Sequence, residues 1–150
     1  MLSAPALIYY HADCLDGFGA AYAAWRHLGE SAEYRAMHHG DTWSIDDVTG
    51  HNVFILDFSF PRPALAEMAK HAISVCQIDH HASARDGWAA DLLSVAESSM
   101  TVYQHPALPL KVIFDMEKSG ARLAWSTFTR RHSHHSPCAT LKIRIYGASR

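Results

Sequence analysis

Apolar residues in this chain fall into short unbroken runs, separated by stretches that repeat every three to four positions. Ala6–Tyr10, Asn52–Phe58 (NVFILDF), Ile73–Ile78 and Lys111–Asp115 (KVIFD) are runs of strand length, the pattern expected of strands covered on both faces. Glu33–Met37 is weaker and edge-like. Gly17–Leu28 (GFGAAYAAWRHL) sets Phe18, Tyr22, Trp25 and Leu28 at helical spacing, which predicts a buried aromatic stripe. Ala64–His71, with Pro63 in its first turn, and Ser119–Thr129, with Ser119 as N-cap, read as further helices. Residues 82–110 are the least patterned, and a helix over Asp86–Val95 followed by a loop through Pro106 and Pro109 is expected there. Strands alternating with helices predict an α/β domain over residues 1–130, built on a mainly parallel, Rossmann-like sheet with helices on both faces.

In such a sheet, ligands bind beyond the carboxyl ends of the strands. Three strands end in metal-capable side chains: His11-Ala-Asp13-Cys14-Leu-Asp16-Gly17, then Asp57, then Asp79-His80-His81. Because the strands are expected to be parallel, these endings converge on one edge. Carboxylate and imidazole together are the usual protein ligands of divalent metals. Two ions side by side need a shared carboxylate, and Asp57, standing between the other clusters, is the natural bridge. Such a pair would supply an activated water as nucleophile. Hard carboxylates mixed with imidazole suit Mn2+, with Mg2+ or Co2+ acceptable and zinc less expected. Gly17 is read as opening the first helix, whose free amides would suit an anion such as phosphate.

HADCLDG, the Asp57 strand end and DHH, in this order and spacing, resemble the motifs of the DHH phosphoesterases. Exonucleases, nanoRNA and cyclic-dinucleotide hydrolases and family II pyrophosphatases belong to that family. The resemblance covers roughly residues 6–125, because EKSGARLAW (Glu117–Trp125) is also similar to the segment that follows the motifs. It implies that His11 and Asp13 bind one metal ion, that Asp16 and His80 bind a second, and that Asp57 bridges them. It further implies that His81 meets the scissile phosphate and that Asp79 orients a neighbouring imidazole. The expected activity is metal-dependent hydrolysis of a phosphodiester, of the short-oligonucleotide or cyclic-dinucleotide type. The alternatives are a pyrophosphatase-like phosphoanhydride hydrolase, or a catalytically incomplete remnant that binds metal without turnover.

Two departures temper that expectation. The family spaces its first two aspartates as DxD, but here that spacing from Asp16 lands on Cys14 and the acid sits one place earlier, at Asp13. Asp13 is taken as the ligand; a thiolate at Cys14 would favour softer metals. Moreover, residues 1–117 carry 15 acidic against 6 basic residues, whereas residues 118–150 carry 7 basic residues and no acid. A counterpart of the family's further downstream acidic ligand and of its second, DHHA1-type domain is therefore not expected within these residues. Residues 131–150 are expected to be a basic, His-rich tail from a truncated or frameshifted end.

The formal charge of −2 argues neither for a disordered chain nor for a general nucleic-acid binder, and the acidic excess over residues 1–117 counts against the latter. A phosphate-ester substrate, including short single-stranded nucleic acid, is the expected partner, and a homodimer is allowed. Three cysteines without a CxxC pair point to a reducing cytoplasm. No segment has the apolar length of a membrane span.

Overall fold

The structure, a computed structural model, describes residues 4–129, so the basic segment 131–150 lies outside the described residues. The strong apolar runs form β1 (Ala6–His11), β3 (Asn52–Leu56), β4 (Ser74–Asp79) and β7 (Leu110–Asp115), and the weaker one forms β2 (Ala32–Met37). These five run parallel. β5 (Leu93–Ser94) and β6 (Met100–Gln104) extend the sheet antiparallel beside β7. The order across the seven strands is β2-β1-β3-β4-β7-β6-β5.

Helices cover both faces, as the alternating pattern requires. α1 (Leu15–Leu28) and α5 (Gly120–Thr129) lie side by side on one face. There Ala20, Ala23, Leu123 and Phe128 meet Ile8, Phe54, Leu56 and Ile78 of the sheet. On the other face, α3 (Arg62–His71) packs Leu65, Met68 and Ala69 against Leu7, Val53, Ile55 and Val75. The short helices α2 (Ile45–Val48) and α4 (Ala82–Asp86) complete the elements. The α/β architecture with a mostly parallel sheet is as the sequence predicts. Among the described residues no helix is long and apolar enough to cross a membrane.

Two local expectations fail. Phe18, Tyr22 and Trp25 are not the core face of α1: they are 65%, 47% and 47% exposed. Alanines take the core instead, because α1 lies close to both α5 and the sheet; a Cβ on Gly19 would stand 2.8 Å from the Ala121 methyl. The expected helix over Asp86–Val95 is also absent. α4 ends at Asp86, and the chain turns into the β5–β6 hairpin, where Met100 and Val102 are buried and Thr101 and Tyr103 only partly so. That two-residue alternation marks an edge strand, but it is too short to stand out against a helical rhythm.

Candidate metal centre

Strand register builds the site. Tyr10 pairs with Leu56, and Leu56 with Ile78. His11, Asp57 and Asp79 each follow one residue later, so they share one row across three adjacent strands, about 4.8 Å apart from neighbour to neighbour. Residues separated by up to 68 positions in sequence thus meet without any long side chain reaching for another.

Asp57 occupies the middle of that row and is 1% exposed. Its φ of +54° lies in the left-handed region, which a non-glycine residue adopts only when its surroundings hold it there. The Asp57 amide donates to the Ile78 carbonyl at 3.0 Å, fixing this turn of the chain. The two carboxylate oxygens face different groups. Oδ1 lies 2.9 Å from Nε2 of His80. Oδ2 lies 3.7 Å from Nδ1 of His11 and 3.8 Å from the Cys14 thiol. Burial, then the neighbouring Asp16 carboxylate, push the Asp57 pKa above its ordinary value.

Asp16, in the first turn of α1, faces the N-terminus of α5. The Gly120 amide donates to its Oδ2 and the Ala121 amide to its Oδ1, both at 2.7 Å. Burial works against the charged form, but these two amides, with His80 Nε2 at 3.1 Å, outweigh it and hold the Asp16 pKa below its ordinary value. Ser119 caps α5 as expected, accepting from the Arg122 amide at 3.2 Å. Two glycines permit this closeness. A Cβ on Gly17 would lie 2.1 Å from the His11 carbonyl oxygen, and one on Gly120 would lie 2.3 Å from Oδ1 of Asp57.

Asp79 is 1% exposed and fully engaged. Its Oδ1 accepts from the His80 amide at 2.8 Å and lies 2.6 Å from Nδ1 of His81. Its Oδ2 accepts from Ser59 Oγ at 2.6 Å, and Ser59 in turn accepts from Gln77 Nε2 at 3.1 Å. The imidazole of His81 is therefore held through Nδ1, leaving Nε2 for another partner. A cavity of about 450 Å³ opens beside it, bordered by Asp57, Asp79, His39, Phe58 and Arg62.

Of the residues expected at the site, His11, Asp16, Asp57, Asp79, His80 and His81 come together. Asp13 does not: its side chain is 88% exposed and lies 2.9 Å from Nε2 of His38. Cys14 stands nearer, and ligand atoms of His11, Cys14 and Asp57 all lie within 4.8 Å of one another. His39 stacks on Phe58 with ring centres 5.6 Å apart. Asp115 also ends a strand at this edge, yet it is spent on Lys118 Nζ at 2.6 Å, Ser99 Oγ at 2.7 Å and the Glu117 amide at 3.1 Å. Sequence reasoning missed the Gly120 and Ala121 amides and Ser59. A helix start at Ser119-Gly120 was legible, but its facing partner Asp16, some hundred residues away, was not.

The donor set fits divalent metal. His11 Nδ1 is buried without a hydrogen-bond partner, an arrangement that costs about 1–3 kcal/mol unless something else satisfies it. A cation would satisfy it, and would also offset the crowding of Asp16, Asp57 and Asp79.

No family model matches the chain, and no solved structure matches it. An uncharacterized protein of Acanthamoeba polyphaga mimivirus is similar, with 25% identity over 136 residues, in a match that takes in 81% of this chain and 28% of the viral protein. The chain thus spans well under half the length of this relative.

Proposed function

We propose that this chain is a DHH-type phosphohydrolase domain that hydrolyses a phosphodiester, of the short-oligonucleotide or cyclic-dinucleotide class, with two divalent ions, Mn2+ foremost. The observation that carries the reading is the two-sided environment of Asp57: one oxygen faces His80, beside Asp16, and the other faces His11 and Cys14. A buried carboxylate set between two donor groups is what a shared ligand requires. His11 would serve one ion position and Asp16 with His80 the other, both through Asp57. Bound there, the ions would acidify a water and neutralise charge on the phosphate.

The remaining groups orient and exchange protons. Asp79 fixes the His81 ring through Nδ1, so Nε2 is the atom that stabilises the phosphate or protonates the leaving oxygen. The adjoining cavity offers room for the rest of the ester.

The test is hydrolysis of bis-p-nitrophenyl phosphate and of pyrophosphate by the purified chain, with Mn2+ and with chelator, alongside metal content and Asp57→Ala. Chelator-sensitive diester turnover that disappears in D57A is expected. A strong preference for pyrophosphate would move the reading to phosphoanhydride chemistry. Metal without turnover would make the chain a binding remnant, and turnover that survives chelator or D57A would remove the site assignment altogether.

A further inference from the structure

The turn between β1 and α1 offers two side chains to the first ion position, and they are oriented differently. Asp13 has a φ of +52°, and its exposed carboxylate lies against His38. To act as a ligand it would have to give up that contact and turn inward. Cys14 already points inward, with Sγ 3.8 Å from Oδ2 of Asp57. It also holds the N-cap position of α1 without making a side-chain capping bond. Ser, Thr, Asp and Asn favour that position because their oxygens cap the helix; here the side chain is turned to the cluster instead. The neighbouring His11 Nδ1 is buried and lacks a hydrogen-bond partner, and Asp57, whose Oδ2 faces both it and the Cys14 thiol, is 1% exposed.

We infer that Cys14, not Asp13, is the third protein ligand at the first ion position, joining His11 and Asp57 in a nitrogen–sulfur–oxygen set. The inference rests on the two-ion reading above. It makes the two positions chemically unequal. A thiolate selects softer ions such as Zn2+ or Co2+, whereas Asp16, Asp57 and His80 form a harder set suited to Mn2+ or Mg2+. The thiol must lose its proton to bind, so loading the first position releases a proton to solvent. Metal preference at this position is then a property of one side chain and can be changed by substituting it.

The experiment is a Co2+ titration of the full chain under a non-thiol reductant, followed by near-ultraviolet absorption and by direct metal count, in the parent chain, Cys14→Ser, Cys14→Asp and Asp13→Ala. Serine is a preferred N-cap residue, so C14S should fold at least as well as the parent. The parent should develop a sulfur-to-cobalt charge-transfer band that C14S lacks. Removing even an outer-shell partner costs about 10–100-fold in metal affinity, so C14S should lose at least that for Zn2+ at one position while the second keeps Mn2+. C14D should again bind two ions, with preference moved to Mn2+, and D13A should leave the band and the count unchanged. A band that persists in C14S, or metal binding lost in D13A, overturns the inference. Two cobalt ions bound without a band also overturn it but leave the two-ion reading standing. No cobalt bound by a folded parent chain overturns both.

Discussion

The main-chain amide of Gly120 donates to Oδ2 of Asp16 at 2.7 Å, joining the start of the last described helix to the first turn of the first. Ala121 repeats the contact on Oδ1. α5 thus forms one wall of the site, through its backbone, although none of its side chains is a metal ligand in our reading.

Gly120→Ala should therefore damage the site. The added methyl would stand 2.3 Å from Asp57 Oδ1 and 2.6 Å from its Cβ, so either the helix or the carboxylate must move. A cost of about 1–3 kcal/mol is expected, the usual range for overpacking. Chemical denaturation and metal content should fall together; a variant with unchanged metal affinity would show that the wall is less rigid than the contacts imply.

His80 and His81 are neighbours with different tasks, and their alanine variants should separate. H80A removes the imidazole that meets Asp16 and Asp57, so ion occupancy should fall. H81A should bind metal normally and lose rate by about 10²–10⁴-fold, the range for a group acting in proton transfer. Metal content and kcat measured on the same preparations decide it; the reverse pattern would mean that the roles are exchanged.

Stability of α1 should depend on its alanines and little on its aromatics. Ala24 is 0% exposed and faces the core, so Ala24→Leu should cost about 1–3 kcal/mol. Phe18→Ser, at a position 65% exposed, should stay within about 0.5 kcal/mol. Urea midpoints of the two variants check this directly. A large loss from F18S would restore the aromatic stripe to the core.

Acid should weaken the fold in part through Asp115, which is fully buried beside Lys118. Burial alone would raise its pKa, but Lys118, the Ser99 hydroxyl and the Glu117 amide outweigh it and hold the pKa below the ordinary value. The folded state thus favours the carboxylate. That stability is complete above the unfolded pKa of about 3.9 and is lost as pH falls through the lower folded value. Lys118→Met should lower stability at neutral pH and flatten its fall below about pH 4, read from urea midpoints across that range. An unchanged acid slope would remove Asp115 as the cause.

What could be read from the sequence follows interaction range. Runs such as NVFILDF announce a buried strand because every residue in them meets core, and the strand-end acids and histidines follow from parallel order alone. Phe18, Tyr22 and Trp25 misled because helical spacing identifies a face but not which neighbour covers it, and the close approach of α5 favoured alanine there. The placement of Asp13 was not legible: it takes a left-handed conformation and turns to His38, while its neighbour in sequence, Cys14, turns toward Asp57. Residue type alone does not dictate that backbone conformation. The amides of Gly120 and Ala121 carry no side-chain signature at all.

The contact between Gly120 and Asp16 also sets an order of events during synthesis. A nascent chain leaves the ribosome from its N-terminus, so His11, Asp16, Asp57 and His80 emerge well before residue 120. Until α5 docks, Asp16 lacks both amides that favour its charge, and Asp57 lacks the helix start that packs against it. The emerging chain therefore carries the acids and imidazoles of the cluster early but completes their setting last.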